Sequence, residues 1–282
     1  MYVGLGLPIA DPGSLVGWAR RADAGPFSTL GLLDRVVYDN PEPLVTLAAV
    51  VGATVRIRVQ TEVLIAPLRE PILLAKQTAT LDRLSDGRFT LGIGLGGWED
   101  DYRAVGVDIH RRGRRLDEQM SMLRAVWSGE PVGPGLGAVG PAPARRGGPQ
   151  VLFGGFTAVA LARVARCGDG FLCASPPAAA DDLLRTVEKD WEQAGRAGRP
   201  RLVGQVNAAL GPDPVLAEGR AAIARYYGTS QYTEHVLDAW LTTPRQIRDA
   251  LTGYEDLGAD ETIIYCWSPD TDQIDRLADL VS

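Results

Sequence analysis

Leu91–Tyr102 reads LGIGLGGWEDDY, and the role of its glycines decides the fold. Gly92, Gly94 and Gly97 stand at the spacing G-x-G-x-x-G, the fingerprint of a dinucleotide-binding turn whose backbone amides meet a pyrophosphate. Such a turn follows the first strand of its unit, opens a helix at once, and has an acidic residue about twenty positions further on. Here three strand–helix units precede the glycines, and the acidic run Trp98-Glu99-Asp100-Asp101 follows them. Carboxylates suit a helix N-terminus but would repel a pyrophosphate beside them. Asp117 lies at the right distance but falls inside a predicted helix. The stretch reads better as a strand in which Leu91, Ile93 and Leu95 alternate with Gly92, Gly94 and Gly96. Successive strand residues face opposite sides, so one face is aliphatic and the other is bare backbone. A bare face serves either close packing inside a barrel or a flat ring lodged at the strand end.

Seven further apolar runs accompany Phe89–Leu95: Val3–Leu7, Thr29–Leu33, Ile57–Ile65, Val151–Phe153, Gly170–Cys173, Leu202–Leu210 and Thr262–Trp267. Most are apolar at consecutive positions, the pattern of parallel strands covered on both faces. Helical segments lie between them. One opens at Asn40-Pro41 and carries Leu44, Leu47, Ala48 and Val51 on one face. Another opens at Pro71, turns Leu74, Thr78 and Leu81 inward, and closes at Asp86-Gly87. Arg114–Trp127 and Asp272–Val281 are further helices, and Thr243-Pro244-Arg245-Gln246 has the spacing of a capping box. Eight strands alternating with about eight helices predict an α/β fold, a (β/α)8 TIM barrel, as a single domain over residues 1–282. The Gly/Pro-rich stretch Pro131–Pro149 is a long loop before the fifth strand, and Gly228–Glu234 breaks the helical stretch before the eighth.

Composition narrows the function. The 282 residues carry a net charge of -6, against a nucleic-acid partner. Cys167, Cys173 and Cys266 form no close pair, and two histidines, His110 and His235, show no metal-ligand spacing, so no metal site is expected. The opening MYVGLGLP lacks the charged start and apolar run of a secretory signal, and no apolar segment reaches the ~18 residues of a membrane span. A cytoplasmic protein with no membrane partner is the expectation.

Several stretches together resemble the bacterial luciferase-like superfamily, in its deazaflavin (coenzyme F420)-dependent branch. They are LLDRVVYDNPEPLVTLAAVVGATVRIRVQTEVLIAP, REPILLAKQTATLDRLSDGRFTLGIGLG with Asp101-Tyr102, AVGVDIHRRGRRLDEQMSMLRAVWSG, VLFGGFTAVALARVARCGDGFLC and TTPRQIRDALTGYEDLGADETIIYCW. The family fold is a (β/α)8 barrel with its cofactor at the carboxyl ends of the strands. The resemblance implies that Asp34 and Arg35 stand where deazaflavin members often have Asp-His. It implies a cis non-prolyl peptide at Val63-Leu64, behind the cofactor ring. Gly96 would lie beside that ring, and Asp100 either contacts it or is a solvated helix start. Gly154, Gly155, Phe156 and Thr157 would hold the cofactor phosphate at a helix N-terminus. The sugar-phosphate dehydrogenases of this branch carry Glu at Gly97 and His at Arg35, so both departures argue against a glucose-6-phosphate dehydrogenase activity.

Hydride transfer belongs to the cofactor, and the protein supplies orientation, a dry pocket and a proton donor. Arg35 either stabilises negative charge on a substrate or pairs with Asp39 or Glu42. Glu62 becomes a general acid if burial raises its pKa, and otherwise accepts hydrogen bonds from a neighbour. His110 and the arginines at 111–115 read as a solvated face or a polyanion site. Gln205, Asn207, Tyr265 and Trp267 are candidates for the substrate pocket, and the loops 131–149 and 228–234 are expected to set its specificity. Coenzyme F420 is the leading cofactor and FMN the alternative. With FMN the enzyme is a monooxygenase partnered by a separate flavin reductase. A small-molecule substrate is expected, and a homodimer is common in the family. Two other readings are a barrel hydrolase using Asp34, Glu62 and Glu99, and a non-catalytic flavin-binding protein.

Overall fold

The computed structural model of the chain describes residues 1–7, 11–228 and 231–281. Its strands are β1 (Tyr2–Gly6), β2 (Thr29–Leu32), β3 (Arg58–Thr61), β4 (Leu64–Ile65), β5 (Phe89–Gly94), β6 (Gln150–Gly154), β7 (Gly170–Cys173), β8 (Arg201–Ala208) and β9 (Glu261–Cys266). All pair in parallel. The order β3-β2-β1-β9-β8-β7-β6-β5-β4, with β3 also pairing β5, closes the sheet into a barrel. β3 and β4 are two halves of one interrupted stave, so the barrel has the eight staves expected.

The helices are α1 (Pro12–Ala24), α2 (Pro43–Ala53), α3 (Pro71–Leu84), α4 (Glu99–Ala104), α5 (Arg112–Trp127) and α6 (Ala158–Cys167). They continue with α7 (Pro177–Gln193), α8 (Asp213–Tyr227), α9 (Gln231–Asp238), α10 (Pro244–Asp256) and α11 (Gln273–Val281). The start signals work as their chemistry predicts. Glu70 accepts from the Leu73 amide ahead of α3, and Thr243 and Gln246 complete a capping box at α10. Helix α2 opens at Pro43 rather than Asn40-Pro41, because the Glu42 carboxylate caps the Val45 amide. Among the described residues no helix is long and apolar enough to cross a membrane.

Strand alternation divides the interior. Leu5, Val59, Phe89, Leu91, Ile93, Val151, Phe153, Phe171 and Ile264 pack outward with helix residues such as Trp18, Leu47, Leu74 and Leu123. Leu152, Leu172, Val203, Ile263, Tyr265 and Trp267 belong to a second cluster within the barrel and its mouth. The glycines of β5 lie on the inner face and leave little room. A Cβ on Gly92 would sit 1.9 Å from the Thr61 carbonyl oxygen, and one on Gly94 would sit 2.5 Å from Val63 Cγ2. Of the two uses open to the bare strand, Gly92 serves close packing of backbone on backbone. Gly96 has φ +63°, and a Cβ there would also press on Ile65 at 2.8 Å.

The long loop 131–149 belongs to the other end of the barrel. It follows the C-terminus of α5 and leads into the start of β6, so it crosses the N-terminal face of the sheet. Arg124 donates to the Gly147 carbonyl, the Arg145 amide to Asp82, and Lys76 to the Gly140 carbonyl. The expectation that this loop shapes the substrate pocket is therefore corrected. A loop joining a helix to the next strand returns to the face opposite the barrel's mouth.

Gly92→Ala is expected to lower the unfolding free energy by about 3 kcal/mol, since the Cβ meets rigid backbone. Gly97→Ala, whose Cβ would meet nothing within 4 Å, should change it by no more than ~0.5 kcal/mol. Urea denaturation of the two variants checks the contrast, and equal losses would overturn it.

Candidate active site

The mouth is built around the interruption between β3 and β4. Glu62 and Val63 both turn inward there, against the usual alternation. A Cβ on Gly31 would lie 2.6 Å from the Glu62 carboxyl carbon, and one on Gly154 would lie 3.0 Å from Val63 Cγ1. Val63 thus fills the space left bare by Gly94 on β5 and Gly154 on β6, and it remains part-exposed at the mouth. The cis peptide joins Glu62 to Val63. The expected position, Val63-Leu64, is one residue too late. Leu64 is fully buried in the outer cluster and pairs with Ile93 of β5, so it turns away from the mouth. Leu64 is therefore corrected as a ring contact.

Asp34 is likewise taken up by the framework. It is 3% exposed, accepts the Ile65 amide at 2.7 Å, and receives both terminal nitrogens of Arg69 at 2.7 and 3.0 Å. This fork ties the end of β2 to the start of β4 and holds the interruption in place. Arg35 pairs with neither Asp39 nor Glu42. Its Nε donates to Asp101 at 2.6 Å and its Nη2 reaches Asp100 at 3.2 Å. The guanidinium lies over Trp98, 4.2 Å from the ring centroid, and approaches the Tyr38 and Tyr226 rings at 5.9 and 5.8 Å. Asp101 accepts the Val36 and Val37 amides as well. The acidic start of α4 therefore serves to anchor Arg35 and the loop after β2, and the half-exposed Asp100 is its outer partner.

Above this pair lies an aromatic cap. Tyr226 stacks edge-on against Tyr38 and Trp98 at 5.2 and 5.4 Å, and it meets Trp267 at 5.3 Å. Tyr227 extends the cap to Trp267 and Tyr232. Burial holds the phenol pKa of Tyr226 well above its ordinary value, with the Tyr227 hydroxyl next in effect. Trp267 donates to Asn207 Oδ1 at 2.7 Å, so it braces the rim rather than standing alone as a plug. Sequence reasoning missed Trp98, Tyr38, Tyr226 and Tyr227. The doublet Tyr226-Tyr227 at the end of a helical stretch, immediately before Gly228, was the available signal.

Glu62 is a carboxyl whose environment changes its chemistry. It is 4% exposed. Gln60 Nε2 donates to its Oε1 at 2.6 Å, while Oε2 has no hydrogen-bond partner. Burial pushes its pKa up to about 8, against the lowering effect of the Gln60 bond. The side chain is then a neutral acid at pH 7, with its proton on the oxygen that Gln60 does not occupy. Tyr265, fully buried on β9, has its own pKa raised by burial and by this nearby carboxyl.

The turn after β6 lies on the other side of Val63. Gly155 has φ +148°, and a Cβ there would lie 2.7 Å from the Ala160 Cβ. Phe156 is half-exposed, and Thr157 caps α6 by accepting the Ala160 amide at 3.3 Å. The first amides of a helix have no partner within it and carry the positive end of its dipole. A bare glycine turn beneath them leaves their approach open. Beside the turn is a cavity of ≈ 230 Å³ lined by Phe156, Ser175, Gln205, Asn207, Tyr232 and His235, among others. Gln205 and Asn207 were expected there. His235 comes from α9, and its place was not readable from spacing. His110 and Arg111 lie in an exposed turn before α5, and Arg115 donates to the Pro67 and Arg69 carbonyls.

A family model described as luciferase-like monooxygenase matches residues 3–263. An uncharacterized protein of Mycobacterium tuberculosis is 33% identical over 169 residues, 57% of this chain and 60% of the relative. The F420-dependent glucose-6-phosphate dehydrogenase of Segniliparus rotundus is 29% identical over 74% of this chain and 65% of that enzyme. The chain thus spans less than two thirds of the length of these curated relatives. The crystal structure of the monooxygenase RslO1 from Streptomyces bottropensis superposes with a TM-score of 0.81 at 20% identity, covering 99% of this chain and 97% of that one, which shows a shared fold.

The raised pKa makes a prediction about stability. The ordinary carboxyl value near 4.5 applies in the unfolded chain and about 8 in the fold. Glu62 therefore stabilises the fold fully below pH 4.5, and that contribution is lost as pH rises through about 8. Wild-type stability should fall across this window by an amount on the order of a few kcal/mol. In Glu62→Gln that component of the fall should vanish. Urea midpoints at pH 5 and pH 9 measure it, and parallel profiles for the two proteins would refute the assignment.

Proposed function

The chain belongs to the luciferase-like monooxygenase family, and from that premise we propose that it is an oxidoreductase using coenzyme F420 on a small organic substrate at the barrel mouth. The observation that carries this reading is Val63, held between Gly94 and Gly154 and set beside the open turn Gly154–Thr157. A flat ring needs a rigid apolar wall with little side-chain bulk around it, and its phosphate needs unpaired amides. Both are offered within one side of the mouth, so the residues present fit a phosphorylated (deaza)flavin. The F420-dependent relative from Segniliparus rotundus and the arginines at the start of α5 favour the deazaflavin with its anionic tail.

Bound coenzyme supplies hydride transfer, and the chain's own groups do the rest. The amides opening α6 would bind the phosphate, with Gly155 leaving room for its approach. Val63 would supply the apolar wall for the ring. The cap formed by Trp98, Tyr226, Tyr227 and Trp267 excludes water, while Gln205 and Asn207 orient a polar group of the substrate. Glu62 holds a proton on Oε2 at neutral pH and is the proposed proton donor. Arg35 is a positioning residue, since its nitrogens are committed to Asp100, Asp101 and backbone carbonyls.

Fluorescence titration with F420 and with FMN tests the cofactor. Saturable binding of F420 is expected. Binding of FMN alone would overturn the choice and move the chain to the flavin-dependent monooxygenases. Gly155→Ala should weaken cofactor binding at least about tenfold, or ~1.4 kcal/mol, because its Cβ closes the turn against Ala160. Unchanged affinity would remove the phosphate from this turn.

A further inference from the structure

The barrel floor, opposite the mouth, is a second charged hollow that the proposed chemistry does not use. Arg58, Gln150, Arg201 and Glu261 are the first residues of β3, β6, β8 and β9, and their side chains form a polar layer there. With Tyr2, Ser28, Asp169, Arg199 and Asp260, and with Arg145 from the loop 131–149, they line a hollow of ≈ 590 Å³.

Every carboxylate in this hollow is already engaged. Asp260 pairs with Arg199 and accepts the Leu202 amide. Asp169 pairs with Arg124 and accepts the Val151 amide. Glu261 takes Arg201 and the Ser28 hydroxyl, and Arg201 also donates to Gln150. Two guanidiniums remain. Arg58 donates from Nη2 to Thr90 Oγ1 at 2.7 Å, and its buried Nε has no partner. The Arg145 guanidinium has no carboxylate within ion-pair distance among the described residues. Burial, then the neighbouring charges of Arg201 and Arg145, bring the Arg58 pKa down to about 10, against the raising effect of Glu261 and Asp82. A part-buried cation pressed by two like charges, with no carboxylate within ion-pair distance among the described residues, is an unfavourable arrangement unless an anion completes it.

We propose that the barrel floor is a binding site for a phosphate-type dianion, clasped between Arg58 and Arg145 with Arg201 behind them. The hollow is larger than one phosphate group, so it accommodates either the free ion or the phosphate of a small ester. A guanidinium presents paired donors that match such oxygens. The loop 131–149 then has a definite task, since it carries Arg145 across the floor and is tied there through Asp82, Lys76 and Arg124.

The test uses the full chain at constant ionic strength, held with sodium chloride. Tm is followed against inorganic phosphate and, separately, against glycerol phosphate. A saturable rise in Tm is expected. A lower half-saturation for glycerol phosphate would identify an ester as the occupant, and a lower one for inorganic phosphate the free ion. Arg145→Gln, a substitution at an exposed side chain, should raise the half-saturation concentration at least tenfold. Gly155→Ala, at the mouth, should leave it unchanged. A rise that does not saturate, or that survives Arg145→Gln, would overturn the proposal. So would a rise lost in Gly155→Ala but kept in Arg145→Gln, since the ion would then sit at the mouth. Absence of any rise would overturn it as well.

Discussion

The mouth of this barrel depends on one packing constraint, the Val63 side chain lodged between two strands that have no side chains to oppose it. Gly94 and Gly154 face it from β5 and β6. Either glycine replaced by a larger residue would push Val63 out and with it the interruption between β3 and β4. That interruption puts two consecutive residues, Glu62 and Val63, on the inner side of one stave. An uninterrupted strand could present only one of them, because its faces alternate. The apolar wall and the buried acid therefore come from the same irregularity.

The surrounding charges keep this irregularity in register. Asp34 reaches across from the end of β2 to the Ile65 amide and to Arg69, which in turn pairs with Glu42 at the cap of α2. Arg35, the next residue, turns the other way and ties the loop after β2 to the start of α4 through Asp101. Adjacent residues of opposite charge thus anchor two different loops. Both pairs are largely buried, so removing one partner leaves a charge without compensation. Such a loss commonly costs about 3–5 kcal/mol. The arrangement favours a mouth whose geometry is fixed before any ligand arrives.

Much of this was legible in the sequence. The eight apolar runs located all eight staves to within a residue or two, because a parallel barrel buries both faces and marks each strand by composition. The turn Gly154–Thr157 and the capping box at Thr243 were readable because glycine and hydroxyl residues act locally. Partners were less legible. Arg35 has acidic neighbours at Asp39 and Glu42 in sequence, yet it pairs with Asp100 and Asp101, brought close by parallel staves about sixty residues apart. The cis peptide implied by the family resemblance was placed one residue late, and strand alternation offered no check on it, since it gives no warning of two inward residues in succession. The aromatic cap draws on five separate loops and helices, and no local pattern announces such a convergence.

The loop 131–149 shows why composition alone misplaces function. Its glycines and prolines mark it as irregular, and long irregular loops in barrels often belong to active sites. Chain direction overrules that inference. Parallel strands all point to the mouth, so every strand-to-helix connection is formed there and every helix-to-strand connection returns to the floor. The loop 131–149 joins a helix to a strand. The other stretch expected to be irregular, Gly228–Glu234, is corrected in part: its last residues, from Gln231, belong to helix α9, while 229 and 230 lie outside the described residues. Helices α8 and α9 both follow β8, and Tyr226, Tyr227 and Tyr232 from them reach over the mouth. The topology that places the mouth and the floor at opposite ends is also what separates an aromatic-capped mouth from a polar floor on which Arg58 and Arg145 have no carboxylate within ion-pair distance among the described residues.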